Sequence, residues 1–284
     1  VRGHSNVQGD RTMGIFEKMT PAFHDKIDEV FDFKSPREPG HDTVLAIQAM
    51  HAGNADVFIG MGGNFVQASP DTNYTAKALS NCSLTCHVAT KLNRSHLVTG
   101  KTALILPCLG RSDADAGANG DQFITCENSM GVVQASQGSL PPVSPHLRSE
   151  PAIIAGIATA LLGNTAKINW NDLAADYDGI RDFIEKVIPG FGNFNERARQ
   201  PGGFYLPNGA KQRTWDTPNR KANFSAGPVQ TLKAAEGRFI LQTLRSHDQY
   251  NTTVYGMHDR YRGIGHARRI VFLNPGDMKH LGLS

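Results

Sequence analysis

The sequence predicts an α/β fold, with a mostly parallel sheet over residues 1–220 and a smaller β-rich part over 221–284. Three observations lead there. Between residues 44 and 106, helical apolar stripes alternate with short apolar runs, the βαβ texture of a parallel sheet. Those runs are continuous rather than alternating, as in strands covered on both faces. Beyond Phe239 the stripes stop, and runs reading FILQTL, TTVYG and RIVFL follow without helical spacing.

Residues 1–14 (VRGHSNVQGDRTMG) set Arg2, His4, Asn6 and Gln8 at every second position, with Gly3 and Gly9 beside them. That spacing predicts an extended segment laid along a large polar ligand, the glycines admitting a close approach. The segment has no leader ahead of it, so the chain is expected to begin inside a longer protein. Residues 15–42 read as a wrapping loop with one short helix at 25–30. Val44, Leu45, Ile47 and Met50 form a helical stripe, capped by Asp42 or Thr43 and stopped at Gly53. Residues 56–60 (DVFIG) form a buried strand that runs into Gly62, Gly63 and Asn64. Ser69-Pro70-Asp71 offers an N-cap with proline in the first turn, predicting a helix through Leu79.

Strands are expected next at 84–88 and 102–106, then a loop-rich stretch over 108–148. Ile153, Ile154, Ile157 and Leu161 predict a helix closed by Gly163. Tyr177, Ile180, Phe183, Ile184 and Val187 predict another, stopped by Pro189-Gly190. Residues 199–236 read as irregular. The closing β-rich part is too short to complete a barrel alone.

A net charge of +3, spread along the chain, gives no support to a nucleic-acid partner. No run approaches the roughly 18 apolar residues of a membrane span. The 4 cysteines include Cys82-x3-Cys86, which lacks the CxxC spacing of zinc ribbons and most iron–sulfur runs. They are read as reduced, mostly buried thiols of a cytoplasmic protein, and no residue is assigned as a metal ligand.

The polar clusters fall at predicted strand ends. Gly60, Gly62, Gly63 and Asn64 follow one strand and precede a helix, a place for a nucleotide cradle or simply for a tight turn. Thr90, Lys91, Arg94, Ser95 and His96 follow the second strand, and Asp113, Asp115, Glu127 and Asn128 follow the third. Carboxylates there suit guanine N–H groups or ribose hydroxyls; surface solvation is the alternative. Arg2 and Arg245 suit a phosphate or a substrate carboxylate, and His4 a general acid or base.

These segments together resemble a known family. RGHSNVQGDRTMG is similar to the R-G-x-x-N-V-Q-G segment of formate dehydrogenases. GMGGN, TKLNRSHLVTGKTALILPCLGR, ENSMGVVQAS, RQPGGFYLPN and LRSHDQYNTTVYGMHDRYRG resemble the formate-dehydrogenase-alpha-like molybdopterin oxidoreductases, in their acid-resistance-protein-like branch. The resemblance runs from end to end.

It implies a Rossmann-like domain of a bis-molybdopterin guanine dinucleotide oxidoreductase, with Mo or W as the metal, followed by the start of a C-terminal β-barrel. It also implies an N-terminal part outside this chain, carrying the metal-ligating residue and a 4Fe-4S cluster. Formate or another small oxyanion is the implied substrate; the electron partner stays open. Arg2 matches the arginine that orients the substrate carboxylate, and His4 stands where those enzymes have glutamine. Asn6, Gln8 and Gly9 match pterin contacts. Gly62, Gly63, Asn64 and Ser69 match the first nucleotide loop, and Thr90, Lys91 and Ser95 the second, with Lys91 where many relatives are acidic. Glu127 and Asn128 lie near the acid that binds guanine. Thr243, Arg245, Ser246, Gln249, Asn251 and Thr252 match the barrel segment at the pterin end. A cofactor-binding or structural module without redox activity remains the alternative.

Overall fold

A computed structural model describes residues 3–16, 18–69, 71–244, 258–259, 261–265 and 270–283. The chain divides into two compact units between residues 223 and 224.

The first unit opens with helix α1 (Gly3–Thr12), where an extended segment is expected from the sequence. Polar alternation supplies no apolar period of two to hold a strand against a core. The helical backbone instead sets Gln8 beside Thr12, whose Oγ1 donates to the Gln8 carbonyl at 3.1 Å. Thr20 caps α2 (Pro21–Phe31) by accepting from the Phe23 amide, so the short helix expected at 25–30 starts four residues earlier and runs three turns. Asp42 caps α3 (Thr43–His51), and Gly53 follows with φ +75°, as the stripe predicts.

β1 (Val57–Met61) leads through Gly62 and Gly63 to the short α4 (Phe65–Ala68) and then α5 (Thr72–Asn81). The cap of α5 is Asp71, which accepts from the Tyr74 amide; Ser69 instead closes α4. β2 (Leu84–Ala89) and β3 (Thr102–Pro107) complete a parallel sheet in the order β1-β2-β3, with Ile59 opposite Cys86 and Cys86 opposite Leu104. β1 is thus an edge strand with alternate residues exposed, where burial on both faces is expected.

The stretch read as loop-rich holds two hairpins. β4 (Ala116–Gly117) pairs with β5 (Gly120–Asp121), and β6 (Ile124–Glu127) with β7 (Val132–Ser136). Next come α6 (Glu150–Leu162) capped by Ser149, α7 (Trp170–Ala175), α8 (Tyr177–Val187) and α9 (Phe194–Ala198). β8 (Phe204–Tyr205) adds to β7, and α10 (Gly209–Gln212) follows.

Three apolar clusters hold this unit. Ile47, Met50, Val66, Ala78 and Leu79 join α3, α4 and α5, with Phe58 of β1 packed on them. Val88, Cys108 and Ile153 pin α6 to the sheet. Phe191 and Phe194, both fully buried, pack with Val133 and Ile188. The four cysteines are free thiols, and burial raises the pKa values of Cys82, Cys86 and Cys108.

In the second unit, described by itself, FILQTL and 270–273 run as coil rather than strand. A bridge joins Asp259 to Ile264, and a helix, α11 (Pro275–His280), closes the described chain where no helix is expected. Phe239, Leu241 and Phe272 are exposed. A strand forms only against a partner that takes its hydrogen bonds, and the described residues here supply none. The TTVYG run lies outside the described residues.

Candidate functional site

Two loops leave the carboxyl ends of β1 and β2 and are tied to each other. In the first, Gly62 and Gly63 both have positive φ, +67° and +71°, and nothing stands within 4 Å of where a Cβ would be. Glycine is required for that backbone, and the space above it is left open. The Gly62 amide donates to the Val88 carbonyl at 2.7 Å, so the sheet ladder holds the loop at its root.

The second loop reaches back to the first. Asn93 Nδ2 donates to the Gly63 carbonyl at 2.7 Å. Ser95 Oγ, almost wholly buried, donates to Asn64 Oδ1 at 3.0 Å and accepts from the Val66 amide at 3.0 Å. Asn93 Oδ1 accepts from the Ser95 amide, and His96 Nδ1 accepts from the Asn93 amide at 2.9 Å. Asn64 and Ser95 therefore serve as the tie itself, and Thr90 and Lys91 stand exposed above it. Ser69 is half-buried at the end of α4.

The tie continues into a histidine pair of which the sequence singles out only His96. His87 and His96 are both buried, their ring centroids 4.9 Å apart, and neither Nε2 has a partner among the described residues. Burial, then the neighbouring His96, lowers the pKa of His87. The signal for the pair was slight: strand periodicity puts His87 on one face with Thr85, two polar groups turned to the same side.

A second group gathers around the β6–β7 hairpin. Gln8 Nε2 donates to Glu127 Oε1 at 3.2 Å, and Gly9 sits against the Glu127 Cβ. Glu127 is 6% exposed, and its Oε2 has no partner among the described residues. Gln8 and Glu127 border a cleft of about 1280 Å³, with Arg197 and Lys211 on its other walls. Asn128 turns inward on the hairpin, its Oδ1 accepting from the Met130 and Val132 amides. Asp113 and Asp115 are engaged within the fold. Asp113 Oδ2 accepts from the Gly110 amide at 2.7 Å, and Asp115 Oδ2 from the Tyr177 hydroxyl at 2.5 Å.

Of the remaining residues singled out by sequence, Thr243 is exposed in the second unit. Arg2, Arg245, Ser246, Gln249, Asn251 and Thr252 lie outside the described residues, as do the side chains of His4 and Asn6. Among the described residues no group of three or more His, Cys, Asp or Glu side chains is placed to hold a metal ion, and no helix is long and apolar enough to cross a membrane.

No family model matches the chain. It is 53% identical over 285 positions to an uncharacterized oxidoreductase of Mycobacterium tuberculosis, taking in 100% of this chain and 37% of the relative. An uncharacterized oxidoreductase of Mycobacterium bovis matches to the same extent. Protein YdeP of Escherichia coli is 48% identical over 282 residues, covering 98% of this chain and 37% of that protein. The chain thus spans little more than a third of the length of the curated relatives it matches, and the mycobacterial ones are named oxidoreductases.

Proposed function

We propose that this chain is the nucleotide-binding part of a larger molybdenum or tungsten oxidoreductase, formate-dehydrogenase-like, that holds a bis-molybdopterin guanine dinucleotide. The observation that carries the reading is the open glycine pair at the end of β1, fixed by the second loop through Asn93 and Ser95. Parallel sheets take dinucleotides at strand carboxyl ends, where glycine lets a pyrophosphate approach the backbone. The oxidoreductase names of the mycobacterial relatives support the reaction class.

The residues present fit such a group. Gly62 and Gly63 leave room for phosphate oxygens, and Lys91 is an exposed cation in the loop that follows β2. The buried, unpartnered Oε2 of Glu127 is an acceptor for a base N–H, with Gln8 holding the other oxygen in place. When bound, the metal and its pterins would supply the electron transfer. The residues of this chain hold and orient. Arg2, by the resemblance to formate dehydrogenases, would set a substrate carboxylate through paired N–H donors.

The test is Gly63→Val together with Lys91→Ala, each in the full-length protein. A β-branched side chain at positive φ strains the loop and fills the cradle, whereas Lys91→Ala removes an exposed charge without touching the fold. Both variants are expected to release less than about half the wild-type GMP on acid hydrolysis. Wild-type GMP content in both would contradict the assignment of this site.

A further inference from the structure

The loops that leave the carboxyl ends of β1, β2 and β3 carry charges of both signs, and the fold treats the two differently. Their carboxylates are engaged within the protein. Asp71 caps α5, accepting from the Tyr74 amide at 3.1 Å. Asp113 Oδ2 accepts from the Gly110 amide, and Asp115 Oδ2 from the Tyr177 hydroxyl. The loop beyond β2, residues 90–101, holds no Asp or Glu at all.

The cations on these loops are left to the solvent. Lys91 and Arg94 beyond β2 and Arg111 beyond β3 are exposed, and none of their side chains has an ion-pair or hydrogen-bond partner among the described residues. Asn93, which stands between Lys91 and Arg94 in the chain, holds the Gly63 carbonyl at 2.7 Å. Both cations therefore ride on the loop that is fastened to the open glycine pair. Like charges gathered at one sheet edge repel one another, and an anion bound there relieves the repulsion.

In dinucleotide-binding parallel sheets the ribose is read by a carboxylate some twenty residues after the glycine loop, which accepts from the 2′ hydroxyl. A cation in that place suits phosphate instead. We propose, on the nucleotide reading given above, that this site recognises its ligand by phosphate and not by ribose. Gly62 and Gly63 admit the pyrophosphate, Lys91 and Arg94 supply its countercharge, and Arg111 adds to the field from the next strand end. With Glu127 given to the base, the sugar is the one portion left without an ionic partner.

Isothermal titration calorimetry tests this on the full-length protein from a host that makes no pterin cofactor, with GDP, its 2′,3′-dideoxy analogue and guanosine as ligands. A hydroxyl donating to a carboxylate is worth roughly tenfold or more in affinity, so GDP and the dideoxy analogue are expected to bind within about fivefold of each other. Guanosine should bind at least about tenfold more weakly than GDP, since it lacks the phosphates that the cations grip. Lys91→Ala combined with Arg94→Ala should weaken both diphosphates alike by more than about fivefold, a loss that shrinks as salt is raised. A larger preference for the diol, a smaller penalty for guanosine, or a smaller loss in the double variant would each overturn the proposal. Protein that is folded by circular dichroism and takes up no GDP would remove the nucleotide reading and the phosphate assignment together, whereas a diol preference would remove the second alone.

Discussion

At the residue scale, the tie between the two strand-end loops rests on one hydroxyl. Ser95 Oγ both donates and accepts in a buried place, so Ser95→Ala strands the Val66 amide and the Asn64 oxygen together. A loss of about 2 kcal/mol in unfolding free energy is expected by chemical denaturation, and an unchanged midpoint would deny the tie its role. His87 makes a second prediction. Burial, and then His96, holds its imidazole below the ordinary value of 6.5, so the unfolded chain binds that proton first. The stability that neutral His87 contributes is complete above that value and is lost as pH falls toward the folded-state pKa. Denaturation at about pH 7.5 and pH 5.5 should show the wild type weakening on acidification, by at most about 1.4 kcal/mol per pH unit for this proton. His87→Gln should flatten that slope; an equal slope in both proteins would place the proton elsewhere. The glycines and Asn64 were legible because punctuation after an apolar run is a local signal. The histidine pair was not, since His87 lies in β2 and His96 nine residues on in the loop that follows, and only the folding of that loop brings the two rings together.

At the scale of elements, helices with an apolar stripe and a cap were read correctly: α3 with Asp42, α6 with Gly163, and α8 ahead of Pro189. The hairpins of residues 116–136 escaped because strands of two to five residues carry too few side chains to show a period. α1 was misread because polar residues at every second position imitate a strand, while packing of Gly9 on Glu127 favours a helix. Gly203 is where sequence and packing meet most sharply. Its φ is +73°, and a Cβ there would stand 1.9 Å from the Val133 carbonyl oxygen, beside the pair that joins β8 to β7. Gly203→Ala should therefore cost about 3 kcal/mol or more and release β8, seen as faster amide exchange at Phe204 and Tyr205. Wild-type exchange in the variant would mean that the strand is held from elsewhere.

At the scale of the whole molecule, the sheet, its loops and the Glu127 cleft belong to one compact unit. The apolar runs near the C-terminal end read as strands from sequence because composition registers the need for a partner but not its presence. Phe239 and Leu241 stay exposed for that reason. The central claim is that the strand-end loops and the Glu127 cleft hold a guanine dinucleotide attached to a redox metal. The most direct measurement is elemental mass spectrometry for Mo and W on the full-length protein, with GMP counted after acid hydrolysis of the same sample. About two GMP per metal atom is the predicted result, and it would place the chain in a bis-dinucleotide redox enzyme. Protein without metal and without GMP, from a host that makes the cofactor, would contradict the account.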